Sequence, residues 1–132
     1  MKKLSLTLFS VFVLITAHAG GWELTFCERD SAGVCLGESE TFYWGEGQTK
    51  VFAMLKNENG LNGMKLQFKV FEAQGNQNGE IYADLKTYTR PEWNSVSRRI
   101  SFIKPGYYKV EVYDERLVRL AARFVTITDR PE

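Results

Sequence analysis

Two cysteines, a few aromatic clusters and sixteen acidic side chains carry what chemistry this 132-residue sequence has to offer. Cys27 and Cys35 are its only thiols. The segment between them, Glu28-Arg-Asp-Ser-Ala-Gly-Val34, is polar and contains a glycine, the composition of a hairpin loop. A dithiol redox pair normally has two residues between its cysteines, and this spacing is longer. A metal centre needs ligands beyond two thiolates. Pairing is the default state of cysteines in an oxidising compartment, so a structural Cys27–Cys35 disulfide is expected.

Histidine is nearly missing. His18 is the single one, and it sits in a stretch that reads as a removable leader. That takes away imidazole-activated serine or cysteine nucleophiles and histidine-held zinc or copper. No catalytic residue, cofactor or metal site is therefore expected. The acids leave a carboxylate pair for glycoside hydrolysis arithmetically open, but no motif selects two of them. Asp30, Asp84, Asp114 and Glu115 are expected on loops or turns, and no spacing among them brings calcium ligands together.

Aromatic and basic side chains are better candidates for recognition. Phe42, Tyr43 and Trp44 are consecutive, so in a strand they point to both faces and one of them turns away from the core. Trp93 lies in Pro91-Glu-Trp-Asn94, a turn segment, and is the preferred single contact residue. Arg119 and Arg123, with Arg98 and Arg99, are expected on outward faces, where they would blunt strand edges or form a modest basic patch.

The N-terminus sets the compartment. Lys2 and Lys3 precede an apolar run over residues 4–16, and Ala17-His-Ala19 is a small-residue cleavage site. This is the pattern of a secretory signal peptide over 1–19. It leaves a single domain over 20–132, exported to the periplasm or the extracellular space. Losing the two lysines turns the net charge from +1 to −1, without the basic footprint of a nucleic-acid binder. No later stretch has the roughly 20 apolar residues of a spanning helix.

The elements that must position these groups are strands. Residues 22–27, 41–44, 49–56, 64–72, 80–89 and 96–103 alternate or carry aromatic and β-branched residues, and Asn-Gly, Gly or Pro clusters separate them. Residues 49–56 are apolar on both faces, as in a central strand. The clearest unit spans 104–128. Pro105-Gly106 opens it, Tyr108, Val110 and Val112 share a face, and Asp114 to Arg116 suit a short hairpin loop. In the return strand Val118, Leu120, Ala122 and Phe124 are expected inward, Arg119 and Arg123 outward. Val125 and Ile127 have the opposite parity, which places a β-bulge near Phe124. Seven to eight such strands predict an all-β, antiparallel sandwich.

Gly106-Tyr107-Tyr108-Lys109-Val110 resembles the G-x-Y-x-C run that opens strand F of immunoglobulin-like domains. The resemblance implies a tyrosine corner at Tyr108, Val110 in the place of the cysteine, and strands F and G in the final hairpin. Residues 49–56 and 64–72 would be strands B and C. The sequence lacks the B–F disulfide and a tryptophan on strand C, and so is similar to secreted bacterial sandwiches without those marks. The function expected of such a domain is binding or structural: a partner protein at the envelope or outside the cell, or a glycan stacked on Trp44, Trp93 and nearby tyrosines. Removing the Cys27–Cys35 bridge by a double serine substitution should lower unfolding free energy by about 2–3 kcal/mol, read from the urea midpoint.

Overall fold

The computed structural model describes residues 21–131, with residues 46 and 76 excepted. The leader expected over 1–19, with His18, lies outside the described residues, as do Gly20 and Glu132. Ten strands form among those described: β1 Trp22–Cys27, β2 Arg29–Ser31, β3 Val34–Leu36, β4 Thr41–Trp44, β5 Thr49–Asn57, β6 Lys65–Gln74, β7 Gln77–Tyr88, β8 Ser95–Phe102, β9 Gly106–Tyr113 and β10 Arg119–Asp129. β1-β5-β8 is one sheet, β4-β10-β9-β6-β7 a second, and β2-β3 a separate hairpin. The β10–β4 pairing is parallel. The other pairings are antiparallel.

The alternation in the sequence becomes a sandwich because each large sheet has one apolar face. Phe26, Ala53 and Phe102 from the first sheet meet Phe68, Val110 and Val125 from the second in one buried cluster. β2 and β3 are the two strands beyond the eight expected. They are three residues each, and β2 is polar and exposed throughout, so no hydrophobic periodicity announces them. Their hairpin folds back on the outer face of the smaller sheet. The Cys27–Cys35 disulfide and a hydrogen bond from Ser97 to Asp30 hold it there. Thr25 and Met54, both on that outer face, are buried, which accounts for the two-sided apolar character of 49–56.

The inward residues of β10 differ from the expectation. The register shifts between Arg119 and Ala121, well before Phe124. From that point odd residues face the core: Ala121 packs on it, and Val125 and Ile127 are buried in it. Of the residues expected inward, Leu120 does pack on the core, whereas Val118 and Ala122 are exposed. Phe124 lies on the outer face, stacked on Tyr107 at 5.0 Å with ring planes 4° apart. Apolar residues of both parities run through this strand, so alternation alone cannot locate its bulge. A second irregularity sits in β7 opposite Phe71 and Ala73. There the position of a Cβ on Gly79 would lie 2.4 Å from the Glu72 carbonyl oxygen, an approach only glycine permits.

The Tyr108 hydroxyl donates to the carbonyl of Lys104, four residues upstream, at 2.8 Å. A bond of this kind is what the resemblance to strand F implies for Tyr108. The Tyr108 ring lies 3.2–3.3 Å from where Gly106 would carry a Cβ, so the glycine makes room for it. Burial first, then the charges of Tyr82 and Glu72, pushes the Tyr108 pKa up to about 12. A phenol raised in the folded state keeps its proton where the unfolded chain loses it. Its contribution is thus complete below the ordinary value of 10.0 and is lost as pH rises toward 12. Tyr108→Phe should cost about 1–3 kcal/mol at neutral pH. It should also flatten the alkaline fall in stability, measured as urea midpoints on either side of that window.

Candidate functional site: a groove beside Trp93

β8 begins at one end of the smaller sheet, and the hairpin β2–β3 reaches over it. The floor of the resulting groove is Ser95 and Ser97, one wall is Asp30, Ala32 and Gly33, and the other is Glu92, Trp93 and Asn94. The groove measures about 440 Å³, within the range of small-ligand and side-chain sites. Each wall has a local reason to hold its shape. Ala32 and Gly33 both have positive φ, 51° and 87°, the twist of a two-residue hairpin turn. Asp30 fixes that turn, accepting the Gly33 N–H at 2.8 Å on one carboxylate oxygen and the Ser97 hydroxyl on the other.

The opposite wall is fastened through its backbone. The Trp93 N–H donates to the Arg90 carbonyl at 3.1 Å. Its own carbonyl accepts from Leu61 at 2.9 Å, and the Asn94 carbonyl accepts from Asn57 at 3.0 Å. Leu61 is fully buried, so this anchor is rigid. Glu92 pairs with Arg90 at 3.1 Å. With its main chain held on both sides, Trp93 keeps 39% of its surface exposed at the lip of the groove. An aromatic plane, two carboxylates and two hydroxyls can bind and orient a ligand. The Ser97 hydroxyl donates to an Asp30 that already accepts from Gly33, an arrangement that orders the wall.

The other residues singled out in the sequence do not join this groove. Trp44 is half-buried against the core, and Tyr43 is exposed with the Arg130 guanidinium 5.8 Å from its ring. Thr49, at the start of β5, bonds the Tyr43 carbonyl, whereas Asn57, at its end, bonds Asn94. Trp44 and Trp93 therefore lie at opposite ends of a nine-residue strand, about 25 Å apart at the usual rise per residue. Arg119 and Arg123 do not form a basic patch together. Arg119 lies on the outer face, 3.3 Å from Glu111. Arg123 lies on the core side at the sheet edge, donating to the Leu24 carbonyl at 2.8 Å and to Glu40 at 2.7 Å. The bulge after Arg119 puts the two arginines on opposite faces. Cys27 and Cys35 are bonded, as their spacing suggested.

No protein-family model matches the chain, and no curated protein matches its sequence. Among solved structures it is similar to the soluble domain of PmoD from Methylocystis sp. ATCC 49242 (Rockwell). The TM-score is 0.52 at 13% identity, over 80% of this chain and 90% of that one. This is a likeness of fold. A GH3 beta-glucosidase from Bifidobacterium adolescentis aligns with 65% of the chain and 16% of its own length, at 16% identity. Its TM-score of 0.38 is too low to bear on fold or chemistry.

One charged group escaped the reading of the sequence. Glu111 belongs to the outward face of β9, yet is only 3% exposed. Tyr113 donates to one of its oxygens, and Lys109, Arg119 and Asn78 surround the other at 3.1, 3.3 and 3.5 Å. Burial alone would raise its pKa. The hydrogen bonds from Tyr113, Lys109 and Asn78 and the charge of Lys109 outweigh burial and hold it below the usual carboxylate range. Tyr113 is raised in turn, first by its bond to Glu111 and then by burial. A carboxylate lowered in the folded state contributes stability above its unfolded pKa and loses it as pH falls through the folded value. Glu111→Gln should cost about 1–3 kcal/mol at neutral pH. Its denaturant midpoint should also change less between neutral and acid pH than that of the wild type.

Proposed function

We propose that this chain is an exported, non-catalytic binding module whose groove beside Trp93 receives a segment of a partner polypeptide at the cell envelope or outside the cell. Export rests on the leader, and the disulfide and the likeness to a soluble domain are consistent with it. The fold reading is immunoglobulin-like. β1, β5 and β8 stand for strands A, B and E, and β10, β9 and β6 for G, F and C, with the tyrosine corner at Tyr108.

The observation that carries the proposal is Trp93: a large side chain left open at a groove while its backbone is bonded on both sides. Ordering such a residue costs little on binding, and tryptophan is enriched where binding energy concentrates. The alternative is a glycan stacked on Trp44, Trp93 and nearby tyrosines; the two tryptophans lie at opposite ends of β5, so a single sugar ring would meet one of them and not both.

The test is a crosslinked pull-down of the tagged chain from its native envelope and medium, followed by mass spectrometry. A stoichiometric partner should be recovered with wild type and with Trp44→Ala. Trp93→Ala, a hot-spot truncation, should weaken capture about 30-fold or more. A partner retained equally by Trp93→Ala would sink the proposal, as would recovery of the chain alone.

A further inference from the structure

The β9–β10 turn holds an aliphatic residue in a backbone state that favours glycine. The Leu117 N–H donates to the Asp114 carbonyl and the Asp114 N–H to the Val118 carbonyl, both at 3.0 Å. The Asp114 carboxylate closes the loop, accepting from the amides of Arg116 and Val118 at 2.8 and 3.0 Å. This is a three-residue hairpin loop in which a tight turn is followed by a left-handed residue, here Leu117 with φ 64°. Glycine or asparagine fills that slot with the least strain. The sequence puts leucine there and leaves it 68% exposed, so the strained residue contributes little to the core.

Strain kept at an exposed position points from an observed outlier to a function. Leu117 is not alone. Val118 is 52% exposed, and Tyr88, on the rim of the same 240 Å³ hollow as Leu117, is 67% exposed. Lys65 and Lys86 line that hollow, and the Lys65 ammonium sits 5.9 Å from the centre of the Tyr88 ring. Arg116 and Arg119 flank the apolar pair in the chain. Arg119 is paired with Glu111, which leaves Lys65, Lys86 and Arg116 to set against Asp114, committed to the turn's own amides, and Glu115.

We propose that this tip docks the domain on a bilayer containing anionic lipids. Leu117 and Val118 enter the boundary between headgroups and acyl chains. Tyr88 lies at headgroup level, where amphipathic aromatic rings are enriched. Lys65, Lys86 and Arg116 meet lipid phosphates, each cation near such a surface adding to the attraction. A few apolar side chains with a positive rim bind a membrane surface reversibly, without spanning it. This inference stands on the turn and not on the Trp93 groove.

Vesicle flotation of the purified full chain tests it, comparing phosphatidylglycerol–phosphatidylcholine vesicles with phosphatidylcholine alone. The wild type should float with the anionic vesicles, less so with the neutral ones, and added salt should weaken it. Leu117→Gly and Leu117→Asn both suit the left-handed backbone. They should bind the anionic vesicles about tenfold more weakly, while their melting temperature holds or rises. The melting readout separates docking from folding, and any leader left on the chain affects wild type and variants alike. Equal flotation of wild type and both variants would overturn the proposal, as would a wild type that stays in the aqueous phase.

Discussion

Three rings meet where the chain crosses from one sheet to the other, and the relation of the two sheets depends on them. Tyr82 of β7 stacks on Phe102 of β8 at 5.6 Å and meets Tyr108 of β9 edge-on at 5.2 Å, with Phe102 and Tyr108 4.6 Å apart. Each such pair adds about 0.5–1.5 kcal/mol beyond the area it buries. Their hydroxyls fasten the crossover itself. Tyr82 donates to the Ser101 carbonyl and accepts from the Ile103 amide, and Tyr108 donates to the Lys104 carbonyl. A crossover leaves backbone groups outside both ladders, and unpaired groups of that kind are costly. Two phenols satisfy three of them while their rings extend the core.

The flanks of the sandwich are closed by arginines rather than by strands. Arg123, from the larger sheet, donates to the Leu24 carbonyl of the smaller one. Arg98, from the smaller sheet, reaches the Lys86 carbonyl and the Thr87 hydroxyl of the larger one. Both sit on core-facing positions at the sheet margins, opposite Val110 and Ala53 respectively. Guanidinium has several donors and a long apolar stem. It can therefore lie against the core while capping carbonyls of the opposite sheet, and it also discourages another strand from adding there.

What could be read in advance followed the range of each interaction. The Tyr108–Lys104 hydrogen bond joins residues four apart in the chain, with the glycine that makes room for the ring two residues before it, so it lies within a short stretch of sequence. The disulfide spans eight residues and was equally plain. The strands β5, β6 and β9 were legible because each has a dry face and alternation reports that directly. Glu111 was not legible. It is buried by Asn78, 33 residues earlier, and by Arg119, eight later, and neither is implied by an outward position in an alternating strand. The inward turn of Arg123 required knowing both the bulge and the sheet margin. The turn around Trp93 makes it a contact candidate, but its groove needs Asp30 and Ser97, which are 67 residues apart.

The groove and the hairpin tip belong to the same end of the sandwich. β5 ends at Asn57, bonded to Asn94, and β6 begins just after Met64, whose carbonyl accepts from Thr89. β9 runs antiparallel to β6, with Tyr113 opposite Gln67, so the 114–118 turn returns to that end as well. Tyr88 and Trp93, at the β7–β8 connection, and Leu117, in the β9–β10 turn, thus project from one pole, while Trp44 and Tyr43 sit at the other. On the proposed docking, the bilayer lies against the pole that carries the groove. The partner segment best placed to reach Trp93 is then one close to the membrane surface, such as the stretch beside a membrane anchor. A domain held by its tip meets such a segment from a fixed distance and orientation. That confinement raises effective concentration without any new contact, so a small groove with one aromatic anchor can suffice.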